Sequence, residues 1–187
     1  MKQIIKYSSE EIEKVRQNWE NLAAEFKGEF CVADTDPNGE LTLAEQRKYE
    51  LRIPFTNEEL CLYAVGYNPL KIGYIIRGKQ EIEFNLYPED FSKKVGKLFG
   101  LKEHEIGDEE FDNRFIIKGN TKEFILKMLS DDLKSFLLQN YVPVFKLERN
   151  HGISNLELNI VINEVKYDQL KTLIELMKKV ILTIKAY

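Results

Sequence analysis

The chain has 187 residues with 27 basic and 31 acidic side chains, a formal net charge of -4, 43% hydrophobic and 11% aromatic residues. A chain this long buries a core without metals or disulfides, and its aromatic content sets it apart from disordered sequences. The acidic balance argues against a phosphate-neutralising surface, so no nucleic acid is expected as a partner.

The N-terminus, Met1 to Tyr7, carries only Ile4 and Ile5 as consecutive apolar residues. It lacks a secretory core segment, so a cytoplasmic location is expected. No apolar stretch approaches the roughly 20 residues that a membrane helix needs, and no membrane association is expected. Cys31 and Cys61 have no Cys-x-x-Cys spacing and read as buried free thiols.

In chain order, Ser8 and Glu11 form a capping-box pattern ahead of Ile12, Val15, Trp19, Leu22, Ala23 and Phe26, whose spacing predicts a helix over residues 9–27. The segment 29–33 fits either helix or strand. Four strands are predicted next, over 49–55, 60–67, 71–77 and 80–87, with Asn68-Pro69 and Gly78-Lys79 as turns. The Gly-first pair Gly78-Lys79 suits a tight hairpin between the last two. Pro88 opens a short helix with Phe91, Val95, Leu98 and Phe99, and Gly100 ends it. Residues 111–118 read as a strand.

Asn120 and Ser130 can cap two successive helices, one with Phe124, Ile125, Met128 and Leu129 inward and one with Leu133, Phe136 and Leu137. A hairpin follows over 144–149 and 156–163 around Asn150-His151-Gly152, and a long helix closes the chain from about Asp168. Runs of strands rather than strict alternation predict a single α+β domain with a mainly antiparallel sheet covered by helices. The closing helix carries Leu176 and Leu182 outside its main apolar stripe. Burial on two sides within the fold is the preferred reading, and contact with a second copy or another protein through this helix is the alternative.

The sharpest motif runs from Asp34 to Glu45 and fits the EF-hand loop pattern D-x-[DN]-x-[DN]-G-x5-E. Asp34, Asp36 and Asn38 would offer oxygens from alternate positions, Glu40 its carbonyl, Thr42 a water, and Glu45 a bidentate carboxylate, the hard donors that Ca2+ requires. Asp-Pro-Asn-Gly is equally a strong turn sequence, and a hairpin without metal is the preferred reading. Gly28, Pro37 and the lack of a second loop all weaken the EF-hand context.

His104 and His151 are the only histidines and stand apart from Cys or paired carboxylates. The acidic run Asp108-Glu109-Glu110 reads as a solvated loop, and Asp112 with Arg114 as a local ion pair. Common enzyme signatures for nucleophile elbows and phosphate loops do not occur.

Phe111-Asp112-Asn113-Arg114-Phe115-Ile116-Ile117-Lys118-Gly119, followed by Leu126, Met128-Leu129, Leu133 and Leu137-Leu138, resembles a bacterial family of uncharacterised proteins. That family carries a Phe-Asp-x-x-Phe-x-Val-x-Gly strand and a Leu-rich helical pair, and the resemblance spans about residues 80–185. Here Ile117 stands for Val and Met128 precedes the Leu step. The resemblance implies shared architecture and carries over no catalytic residue. The functional expectation is a non-catalytic binding or interaction module, with a calcium-binding domain, or an enzyme assembled from distant strands, as alternatives.

Overall fold

The computed structural model describes residues 9–34, 47–65, 69–78, 81–91, 101–162 and 166–187. The strands are β1 (Glu29–Asp34), β2 (Arg47–Phe55), β3 (Glu58–Val65), β4 (Leu70–Arg77), β5 (Phe84–Pro88), β6 (Lys102–Glu103), β7 (Phe115–Gly119), β8 (Tyr141–Asn150) and β9 (Ile153–Val161). The helices are α1 (Ser9–Phe26), α2 (Glu109–Arg114), α3 (Lys122–Met128), α4 (Asp131–Gln139) and α5 (Tyr167–Lys185). The strands form one antiparallel sheet in the order β1-β2-β3-β4-β9-β8-β5-β7-β6. The fold is the α+β class expected from the order of elements.

The core lies between the sheet and α1, α3, α4 and α5. Leu51, Leu62, Ile72, Leu158 and Phe145 point into it from successive strands, and α5 meets them with Leu170, Leu173, Ile174, Met177, Val180, Ile181 and Ile184. Of the two apolar residues outside the main stripe of α5, Leu176 is buried inside the fold and Leu182 is exposed. Trp19 of α1 packs on Phe30 and Tyr49 with ring centroids 5.9 and 5.8 Å away. Lys171 of α5 holds Glu25 of α1 at 2.6 Å, and Tyr167 bonds the same carboxylate.

Several expectations need correcting. The segment 29–33 is strand. There is no hairpin at Gly78-Lys79: the side of β4 away from β3 is taken by β9 over Leu70↔Ile160 to Arg77↔Ile153, and β5 lies beyond β8. An eight-pair register lined by Tyr74, Ile76, Leu156 and Leu158 outweighs a favourable local turn. Asn85, expected on a wet face, is buried together with Tyr87.

Of the strand expected over 111–118, residues 115–118 are strand, within β7, whereas 109–114 form the helix α2. The Asp108 side chain accepts from the Phe111 amide and starts the helix, and Glu109 and Glu110 suit its positive end. Asp112 does not pair with Arg114; its carboxylate accepts from the Ile106 and Gly107 amides at 3.0 and 2.9 Å, while Arg114 donates to the Asn140 carbonyl at 2.9 Å. The acidic run is likewise not simply solvated, because Asp108 pairs with Lys134 at 2.9 Å. Asn120 precedes α3 without capping it and bonds the Glu83 amide instead.

Ser130 does cap α4, accepting from the Leu133 amide. His151 and Gly152 both take positive φ in the β8–β9 turn, where the hairpin was expected. The cysteines are not buried: Cys31 is exposed and Cys61 half-exposed. The helix expected to open at Pro88 does not begin there: Pro88 ends β5 and Glu89–Phe91 form a single 3-10 turn, while the rest of it, 92–99, and the cap at Ser8 lie outside the described residues.

Candidate functional site

Helices cover one face of the β1–β4 and β9 region, and strand alternation sends every second side chain to the other face. One row across this open face reads Glu29, Arg52, Cys61, Gly73, Glu157 and Lys146 on neighbouring strands. The next reads Cys31, Glu50, Tyr63, Lys71 and Asn159. Charges of opposite sign therefore stand beside one another. Glu50 is held by Arg52 at 2.6 Å and Lys48 at 3.3 Å, and Glu157 by Lys71 at 3.2 Å with Lys146 at 3.9 Å.

Gly73 breaks the surface. A Cβ at this position would have nothing within 4 Å, so the missing side chain leaves a dent. Around it opens a depression of about 720 Å³, lined by Pro54, Cys61, Tyr63, Lys71, Ile75, Asn155 and Glu157, with Thr56 and Asn57 of the β2–β3 turn and Glu58 at the start of β3 at one end. Ile75 is 43% exposed on its rim.

That end of the depression is built with backbone strain. Thr56 has φ of 56°, a region that a β-branched residue rarely enters. A chain of hydrogen bonds holds it there: Lys185 Nζ donates to Thr56 Oγ1 at 2.5 Å, Thr56 Oγ1 lies 2.5 Å from the Tyr74 hydroxyl, and that hydroxyl donates to the Phe55 carbonyl at 3.0 Å. Nearby, Lys178 Nζ sits 4.2 Å from the Phe26 ring centre and 5.3 Å from that of Phe55, and burial pushes its pKa down. The last turns of α5 thereby fix the turn that bounds the depression.

The electrostatics of the open face follow from its pairing and partial burial. The hydrogen bond from Arg52, aided by Lys48, holds Glu50 below the usual carboxylate range. Desolvation raises the Cys61 thiol, and desolvation with the neighbouring Cys61 pushes Tyr63 up to about 12. Near neutral pH the face presents a carboxylate, a thiol and a phenol, each settled in one state.

The calcium motif lies elsewhere. Asp34 ends β1 and is the register partner of Arg47 at the start of β2, so residues 35–46 connect two paired antiparallel strands rather than two helices. Asp36, Asn38, Glu40, Thr42 and Glu45 lie outside the described residues, and among the described ones no group of three or more His, Cys, Asp or Glu is placed to hold a metal. His104 bonds the Gly119 carbonyl at 3.0 Å and His151 is exposed in its turn, so the two are not brought together. No helix among the described residues is long and apolar enough to cross a membrane.

Sequence reasoning did not single out the residues around Gly73. The available signal was a glycine within a strand pattern, flanked across the sheet by charges alternating at two-residue spacing.

No protein-family model and no curated protein matches the sequence. The fold is similar to that of the crystal structure of the mycobacterial trehalose monomycolate transport factor A, with a TM-score of 0.54 over 91% of this chain and 94% of that one. Identity is 5%, so the likeness is one of fold.

Proposed function

We propose that this chain is a non-catalytic binding module that seats a protein partner on the open sheet face around Gly73. The observation that carries the reading is the dent itself: a sheet face that no described element covers, interrupted by one missing side chain, with apolar Ile75 and Pro54 beside paired charges. Such a mixture of apolar contact and fixed polar groups suits recognition. The titration of the face supports the same reading, since Glu50 is shifted down and Cys61 and Tyr63 up, each away from the neutral range in which general acids and bases operate. The protein of similar fold is a mycobacterial transport factor, and the proposal places this chain in the cytoplasm.

A photoreactive phenylalanine analogue at Ile75 tests it in the cells of origin. The expected result is a discrete protein adduct that is lost in Gly73→Arg, with no adduct from the same probe at Leu126 on the helical side. No adduct at Ile75, or one indifferent to Gly73→Arg, refutes the reading.

A further inference from the structure

The sheet has two edges, and they differ in a way that bears on association. β6 is two residues long and both, Lys102 and Glu103, are charged. β1 is six residues long, pairs with β2 over Glu29↔Arg52 to Asp34↔Arg47 without a register shift, and has no partner on its outer side among the described residues. Its central residues, Phe30-Cys31-Val32-Ala33, carry no charge and no proline. Sheet edges are ordinarily guarded by shortness, charge, proline or a bulge, as β6 is by the first two. β1 has none of these in its centre.

We propose that β1 pairs antiparallel with β1 of a second copy of this chain, joining the two sheets across a two-fold axis at Cys31. The unpaired backbone groups of an edge strand are complemented by an extended strand, and this register makes the strand its own complement. Phe30 lies opposite Val32 of the partner subunit, on the side where Phe30 already stacks on Tyr49 at 6.1 Å and contacts Trp19. Val32, 39% exposed in one copy, gains an apolar neighbour. Glu29 faces Ala33 of the partner subunit, so no acid meets an acid. Moving the axis to between Cys31 and Val32 would set Glu29 against Asp34 of the partner subunit, an unfavourable like-charge pair. Directly opposed residues in an antiparallel pair stand about 4.5–5.5 Å apart at Cα, within the range a disulfide spans, so Cys31 reports on the register.

Sedimentation velocity on the full chain between about 1 and 100 μM, together with diamide oxidation and non-reducing gels, decides the matter. The expected result is a concentration-dependent dimer that oxidation cross-links, with the link lost in Cys31→Ser and kept in Cys61→Ser. Val32→Lys is expected to weaken dimerisation at least about tenfold. A chain that stays monomeric throughout overturns the proposal, as does a cross-link that needs Cys61 or a dimer indifferent to Val32→Lys. If Val32→Lys fails to fold by circular dichroism, the two serine variants still decide the outcome.

Discussion

β4 and β5, one in each half of the sheet, are built on different rules. β4 alternates buried and exposed positions, with Leu70, Ile72, Tyr74 and Ile76 inward and Lys71, Ile75 and Arg77 outward. β5 is buried at all five positions, Asn85 and Tyr87 on one side and Phe84 and Leu86 on the other. Substitutions on the outward side of the first half should therefore be mild, whereas either side of β5 should be costly.

The strongest way to break this comparison is Phe84→Ala beside Ile75→Ala. Phe84 meets Phe145 edge-on at 5.0 Å and Phe124 at 6.1 Å, so its removal opens a cavity among rings and should cost about 3–5 kcal/mol. Ile75→Ala, at an exposed position, should stay within about 0.5 kcal/mol. Urea unfolding of both variants checks the contrast, and equal losses would remove it.

The glycines sharpen it. A Cβ on Gly119 would come 2.7 Å from Ile125 Cδ1 and 3.0 Å from the Glu83 carbonyl, whereas one on Gly73 meets nothing within 4 Å. Gly119→Val should cost about 1–3 kcal/mol through overpacking. Gly73→Val should be neutral or gain up to about 1 kcal/mol from β propensity. Opposite signs in thermal melts are the expected outcome; a loss at Gly73 would mean that the dent has a structural role.

These positions also mark how much could be read from the sequence. The antiparallel α+β class, α1, the strands β2, β3 and β4, the β8–β9 hairpin and α5 were legible because their apolar periods agree with their burial. β5 was misread because Glu81, Glu83 and Asn85 imitate a wet face, although only residues from 84 onward enter the sheet and Asn85 is buried in it. Its neighbours β7 and β8 lie far along the chain, so no local pattern announces them. The strand assigned to 111–118 holds only from Phe115, where β7 begins: Phe111 and Phe115 are both buried, their rings 4.9 Å apart, and helix and strand periods alike set residues four apart on one face, so the pattern did not mark the helical first half. The site was less legible than the fold. Cys61, Gly73 and Glu157 are neighbours only through the order β3-β4-β9, and nothing in their sequence spacing shows it.

A smaller effect tests the charged support of the second half. The hydrogen bond from Lys134, followed by that from the Phe111 amide, holds Asp108 below the usual carboxylate range, and Asp108 in turn raises Lys134. A depressed carboxylate stabilises the fold above its unfolded pKa, near 4, and loses that contribution as pH falls through its lower folded value. A raised lysine contributes below its unfolded value, near 10.4, and loses the contribution above it. The pair therefore acts from about pH 5 to 9. Lys134→Met should lower the urea midpoint at pH 7 and leave a smaller deficit at pH 2.5; the same deficit at both would show that the ion pair contributes nothing.

The smallest expected effect belongs to the calcium motif, which also separates local sequence from its setting. The ligand pattern from Asp34 to Glu45 is complete, yet an EF-hand holds its loop between two helices, and here the chain enters along β1 and leaves along β2. Strand ends fix the separation and direction of a loop's two ends in a way that helices flanking such a loop do not. Chelator-stripped protein is therefore expected to melt within about 1 °C of the same protein in millimolar calcium, and Glu45→Gln should behave identically. The measurement discriminates well: calcium at a hundred times its dissociation constant would add about 2.7 kcal/mol. For a domain of this size that raises the melting temperature by roughly 5–10 °C. A shift of that order in the parent and not in Glu45→Gln would establish the loop as a metal site despite its strand frame, and would move the functional assignment from the Gly73 face to residues 34–45.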